Sequence, residues 1–263
     1  MNITILGAHN SESSYTRCTS ILIDEKIAID AGGLTSALSD KAQHDIQALL
    51  VTHHHYDHVR DIPTLAMNFD MHMRFYHGTE QLNLYTTETV REALMSNLLD
   101  GKLYPDFTRR PKDLPALRFI IIEPGKNVDI AGYEVLPVSV NHAIPSVGFQ
   151  ITDASNTTIF YTGDTGTGLS ESWPKIGKPR LIITETTLNN EHQEEAKAPV
   201  HMTPNLLKQE LILFRETKGY LPRVLVLHMT PILENDIKFE IENVAKDLGA
   251  TIELTYEGMQ VNV

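Results

Sequence analysis

The chain has 263 residues, of which 41% are hydrophobic and 21% charged, a balance that argues against disorder and leaves room for a large core. No apolar run approaches the roughly 20 residues of a membrane-spanning helix, and a single cysteine, Cys18, excludes an intrachain disulfide framework. The formal charge of -12 disfavours large nucleic acids, whose binding depends on Lys and Arg displacing counterions.

In chain order, Met1-Asn2-Ile3-Thr4-Ile5-Leu6-Gly7 lacks the basic start and apolar core of a secretion signal and reads as a first strand over residues 3–6. β-rich runs follow at residues 20–23, 26–29 and 48–52, and helical patterns at 61–69 and 87–99. Residues 100–117, rich in proline and charge, read as a long loop. Further strands are expected at 119–122, 134–140, 158–161 and 181–184. Thr203 then caps a helix with Pro204 at its first position, Leu207, Leu211 and Phe214 on one face, and Gly219 as the stop. A strand at 224–227, a helix at 234–248 striped with Ile237, Ile241, Val244 and Leu248, and a strand at 251–255 complete the chain. Interleaved strands and helices give a mixed α/β class. With no repeat or linker, one domain over residues 1–263 is expected, and one cysteine without a leader points to the cytoplasm.

The polar residues carry more information. The expected strands run into Asp30, His53, His142, Asp164, Glu185 and His228 in turn. Isolated polar residues at strand ends have no reason to be His, Asp or Glu every time. The densest group is Thr52-His53-His54-His55-Tyr56-Asp57-His58, an H-x-H-x-D-H pattern. On a loop after a strand, His53 and His55 point one way, while Asp57 and His58 turn back from a helix start. A histidine-rich loop alone binds metal adventitiously; a built site needs partners elsewhere in the chain. His142 would complete His53 and His55 at one ion, and His228 would complete Asp57 and His58 at a second. Asp164, between Gly163 and Thr165-Gly166, would bridge them. Imidazole and carboxylate donors suit Zn²⁺, with Mn²⁺ or Fe²⁺ compatible.

This order of motifs resembles the metallo-β-lactamase superfamily, and Asp30-Ala31-Gly32-Gly33 stands where that superfamily has a structural Asp-x-Gly. The resemblance implies a four-layer αββα sandwich, two divalent metal ions, and a metal-bridging hydroxide as nucleophile beside Asp57. Four segments are similar to the branch of class II cyclic-nucleotide phosphodiesterases and tRNA 3′-processing nucleases. They are residues 98–107, Asn141-His142-Ala143-Ile144-Pro145-Ser146, Thr184-Glu185-Thr186-Thr187 and Pro199-Val200-His201-Met202-Thr203-Pro204. That branch implies His201 as proton donor to the leaving group, with Glu185 orienting or charging it. His54, Tyr56 and Val59-Arg60-Asp61 depart from the branch's usual residues, which leaves metal binding intact and bears on the substrate.

The expected activity is therefore a phosphodiesterase acting on a small phosphodiester such as a 3′,5′-cyclic nucleotide. The alternatives are an RNA 3′-end nuclease, a lactone or thioester hydrolase, and a non-catalytic metal-bound ligand sensor. The short interval between His142 and Asp164 has no room for the long tRNA-gripping arm of the nucleases. A homodimer is expected from the branch, and no membrane partner. His9, His44, His72, His77 and His192 read as exposed or hydrogen-bonded residues. His54 stands behind the ligands, and Trp173 either packs beneath the site or stacks on a base.

Overall fold

The computed structural model describes residues 1–197 and 200–263. Among these, two sheets of seven strands each lie face to face. The first contains β1 (Asn2–Gly7), β2 (Ser20–Ile23), β3 (Ile27–Ile29), β4 (Ala48–Leu50), β5 (Leu82–Thr86) and β6 (Leu117–Ile121). The second contains β7 (Val128–Ile130), β8 (Tyr133–Val140), β9 (Ser146–Thr152), β10 (Thr158–Tyr161), β11 (Leu181–Glu185), β12 (Arg223–Leu227) and β13 (Ile252–Leu254). The last strand, β14 (Gln260–Asn262), returns to pair antiparallel with β1.

Side chains alternate across a strand, and in the first sheet this alternation sorts residues between two cores. Ile21 and Ile23 of β2, Ile27 and Ile29 of β3, and Ala48 and Leu50 of β4 face the second sheet, where they meet Val135, Phe149, Ile151 and Phe160. Leu22, Ala28 and Leu49, one residue out of phase, face an outer layer of helices. That layer comprises α1 (Leu34–Ala37), α2 (Asp40–His44), α3 (Tyr56–Val59), α4 (Ile62–Tyr76) and α5 (Glu88–Asn97). After the short α6 (Gln193–Lys197), α7 (Pro204–Lys218) and α8 (Glu234–Leu248) cover the second sheet with Leu207, Leu211, Phe214, Ile237, Ile241 and Val244. The four layers are those of an αββα sandwich.

Local chemistry accounts for the helix bounds. Thr203 accepts a hydrogen bond from the Leu206 backbone N–H, Pro204 opens α7, and Gly219 closes it at φ +81°. Four strands were not legible in the sequence: β5, β7, β9 and β14. Gly148 and Gln150 interrupt the apolar run of β9, and β7 and β14 are three residues long. Pairing supplies what local propensity lacks, because β9 is held on both sides by β8 and β10. The loop expected at 100–117 carries no helix or strand up to β6 and is tied down at its centre. Arg110 donates from Nε and Nη2 to the buried Asp70 of α4 at 3.1 and 2.9 Å, and Phe107 is buried. Trp173 is buried among Phe160 and Phe214 in the main core, so it packs and does not face a base. Among the described residues no helix is long and apolar enough to cross a membrane.

Strand direction places the chemistry. β10, β11 and β12 are mutually parallel, and β8 shares their direction because both it and β10 run antiparallel to β9. β3 and β4 are likewise parallel in the first sheet. Chain segments leaving these strands emerge together at one edge of the sandwich. Phe149 lies fully buried between the sheets. Phe149→Ala is expected to lower unfolding free energy by about 3–5 kcal/mol, read from urea denaturation, without dispersing the strand-end loops.

Candidate metal centre

The loops at that edge carry the polar residues singled out above. Beyond β4 the chain gives Thr52 and His53, and His55, in extended conformation, precedes α3 with Asp57 and His58 in its single turn. Beyond β8 comes His142, beyond β10 Asp164, at the end of β11 Glu185, and beyond β12 His228. Two of these turns need unusual backbone: Asp30 has φ +56° and His228 φ +64°. Such left-handed conformations in non-glycine residues persist only where surrounding contacts hold them. Gly163, at φ +62°, lets the chain before Asp164 pass Thr52, whose Cγ2 would lie 3.1 Å from an added Cβ.

Among the described residues the donors come together in two groups that share one residue, and Glu185, His201 and His228 form a third. His53, His55, His142 and Asp164 form one, and Asp57, His58, Asp164 and His228 the other, each with ligand atoms within 4.8 Å of one another. Asp164 stands at the junction. Its Oδ1 lies 3.2 Å from His58 Nε2, and its Oδ2 lies 3.2 Å from His228 Nε2, 3.6 Å from His53 Nε2 and 4.0 Å from His142 Nε2. His55 Nδ1 is 3.0 Å from His142 Nε2, and His228 Nε2 is 3.0 Å from Asp57 Oδ2. His54 belongs to neither group.

Whether these residues fit cations is answered by their buried lone pairs. His53 Nε2, His58 Nε2 and Asp164 Oδ1 are buried without a hydrogen-bond partner. Buried polar atoms are satisfied as a rule, so two orphaned imidazole nitrogens facing a carboxylate with an orphaned oxygen are what a cation site presents. Charge is polarised accordingly. Burial works against an imidazolium at His58, yet Asp164 and Asp30 outweigh it and hold its pKa well above the usual histidine value. Burial and the neighbouring imidazole of His58 push His53 well below. Asp57 is pulled down to about 2: burial opposes this, but the hydrogen bond and charge of His228 and the charge of His58 prevail.

Behind the donors lie two buried carboxylates, each accepting four hydrogen bonds. Asp30 accepts from Thr52 N at 2.9 Å, Thr52 Oγ1 at 3.0 Å, His58 Nδ1 at 2.8 Å and Tyr161 Oη at 3.0 Å. Glu185 accepts from Thr165 N at 2.9 Å, Thr187 Oγ1 at 2.6 Å, His201 Nδ1 at 2.7 Å and Met202 N at 3.1 Å. Burial lowers and Glu185 raises the His201 pKa, and the carboxylate wins: it is pushed up to about 9. The His201 ring stacks on His228 at 5.3 Å and lies 5.1 Å from His142, so this pair borders both groups. The carbonyl of Val200 accepts from His142 Nδ1 at 3.2 Å. Pro199, which opens the segment read with His201, lies outside the described residues.

Sequence reasoning missed Thr52, Tyr161 and Thr187 as parts of the site. A threonine beside a strand-end His or Glu was the available signal. Among the other histidines, His9 is buried with its Nδ1 2.7 Å from Glu257, and His77 is exposed.

With this geometry in hand, a family model described as the beta-lactamase superfamily domain matches residues 19–229. Ribonuclease Z of Methanopyrus kandleri is 29% identical over 108 residues, which make up 41% of this chain and 32% of that protein. The matched part therefore spans about a third of that relative. Unliganded yeast PDE1 superposes with a TM-score of 0.83 over 100% of this chain and 99% of its own, at 16% identity. The metallo-beta-lactamase fold protein YhfI from Bacillus subtilis gives 0.78 over 99% and 98%, at 15% identity. At such identities the structural likeness shows the fold alone.

Asp30→Ala removes the acceptor of three buried side chains. It is expected to lower stability by roughly 3–5 kcal/mol and to reduce bound metal, checked by chemical denaturation and elemental analysis of the purified protein.

Proposed function

Because this chain belongs to the metallo-β-lactamase superfamily, we propose that it is a metal-dependent hydrolase whose substrate is a small phosphodiester such as a 3′,5′-cyclic nucleotide. The observation that carries the reading is the pair of donor groups joined at Asp164 with the Glu185–His201 pair on their border. His53, His55 and His142 would hold one ion, Asp57, His58 and His228 the other, with Asp164 between them; Zn²⁺ suits these donors. Bound there, two divalent cations supply Lewis acidity that lowers the pKa of a water and offsets the charge on a phosphoryl group.

The protein's own contribution is positioning and proton transfer. Asp30 fixes His58 through Nδ1, and the Val200 carbonyl fixes His142 through Nδ1, so each ring presents Nε2 to the centre. Asp57, with its pKa held low, stays ionised and sets Oδ2 3.0 Å from His228 Nε2, so that both atoms would face the same ion. An ester oxygen leaving as an alkoxide needs a proton. His201, kept as an imidazolium by Glu185 at Nδ1, carries that proton on Nε2. Small substrates are favoured by the charge of -12 and by the short interval between His142 and Asp164.

A second reading, an RNA 3′-end nuclease, is supported by the partial match to Ribonuclease Z. Turnover of bis(p-nitrophenyl) phosphate, cyclic AMP, a 3′-extended tRNA, a lactone and a β-lactam, each with added Zn²⁺ or Mn²⁺, separates the two. Cyclic AMP hydrolysis with an inert tRNA is the expected result, tRNA cleavage alone favours the nuclease, and activity confined to lactone or lactam rejects both. His201→Gln is expected to lower kcat by about 10²–10⁴ with metal content and KM unchanged; loss of metal instead would make His201 a ligand. Asp164→Ala is expected to release bound metal and abolish turnover, read by elemental analysis on the same sample.

A further inference from the structure

Thr187 is 4% exposed, and its hydroxyl lies between two groups of different chemistry. Oγ1 is 2.6 Å from Glu185 Oε2 and 2.8 Å from His228 Nδ1. A third neighbour, His201 Nδ1, is farther at 3.3 Å and spends its proton on Glu185 Oε1 at 2.7 Å. A threonine hydroxyl has one proton to give and lone pairs to receive. A carboxylate oxygen only accepts, so the hydroxyl proton goes to Glu185. What remains at Oγ1 is acceptor capacity, and the group facing it must donate. His228 therefore carries a proton on Nδ1, which leaves Nε2, the nitrogen facing Asp57 and Asp164, as the one that can bind a cation.

The other sheet repeats the arrangement. Thr52 Oγ1 lies 3.0 Å from both oxygens of Asp30 and 2.9 Å from His53 Nδ1, and Thr52 is fully buried. In each sheet one carboxylate serves two imidazoles. Asp30 takes His58 directly and His53 through Thr52, while Glu185 takes His201 directly and His228 through Thr187. His53 Nε2 is correspondingly left buried with no hydrogen-bond partner. Two unrelated segments with the same carboxylate–hydroxyl–imidazole order make an accidental contact a poor explanation.

We infer that Thr187 is a positioning residue that relays Glu185 to His228 and sets the tautomer in which His228 Nε2 is available to a metal ion, with Thr52 doing the same for His53. The inference rests on the reading of His228 as a ligand. It couples that ligand to the carboxylate that also charges His201, so one side chain aligns the metal centre and the proton donor together. Partners of this kind outside the ligand set typically change metal affinity about 10–100-fold when removed.

The test uses the full chain loaded with Zn²⁺ and labelled with ¹⁵N at histidine. Thr187→Val keeps the side chain's shape and removes the hydroxyl, and Thr187→Ser keeps the hydroxyl. In the native protein and the Ser variant, a slowly exchanging Nδ1–H is expected for His228, assigned by its disappearance in His228→Gln. In the Val variant that proton should exchange rapidly, and Zn²⁺ affinity in chelator competition should fall about tenfold to a hundredfold. Native affinity together with a protected Nδ1–H in the Val variant overturns the relay. Native Zn²⁺ affinity in His228→Gln overturns instead the reading of His228 as a ligand, and the Nδ1–H signal then still decides the relay.

Discussion

Asp164 imposes the constraint on which the rest depends. A carboxylate that is 1% exposed, facing four imidazoles within 4.0 Å and with one oxygen lacking any hydrogen bond, is costly to bury by itself. Without positive charge around it, the group would be driven to take up a proton. Here the neighbouring imidazoles hold its pKa well below the ordinary carboxylate value, against the effect of burial. The site is therefore organised to keep negative charge deep in the protein, and a cation is the natural complement of that charge. Hydrogen bonds to Nδ1 of His58, His142 and His228 hold three of these imidazoles in place around the oxygen pair.

That holding is done by hydrogen bonds that converge on two buried carboxylates, one from each sheet. Asp30 joins the loop after β4 to Tyr161 of β10, so it ties the first sheet to the second directly behind the donors. Glu185 joins the loops after β10 and β11 to the residues that lead into α7. In a region of low dielectric, such fully satisfied networks are strong and rigid, whereas a partly satisfied one would destabilise the fold. Left-handed backbone at Asp30 and His228 is the local strain that the networks offset.

Packing limits what the loops can do. Gly32 shows how closely they are set: an added Cβ there would fall 1.9 Å from the Asp57 carbonyl oxygen. The single turn of α3 that bears Asp57 and His58 is thus pressed against the turn after β3, and Ala31 N–H donates to the His58 carbonyl at 2.7 Å. Rigid elements position chemistry more precisely than free loops, and these loops borrow the rigidity of the strands they leave.

Much of this was legible in the chain. The short continuous apolar runs of β2, β4, β10 and β12, the Thr203-Pro204 helix start and the Ile237–Leu248 stripe of α8 are local signals, because burial and capping act over a few residues. The H-x-H-x-D-H order and the strand-end placement of His142, Asp164, Glu185 and His228 were visible for the same reason: strand polarity carries each to the same edge. Tertiary structure decided the rest. β9, with Gly148 and Gln150, is a strand because β8 and β10 pair with it, and Trp173 packs in the core because Phe160 and Phe214 surround it. The hydroxyls of Thr52 and Thr187 acquire meaning only from what approaches them, since a threonine donates or accepts according to its neighbours. Residue identity set which atoms can bind or give a proton; folding alone decided which lone pairs face one another, because a hydrogen bond depends on distance and direction that no spacing along the chain encodes.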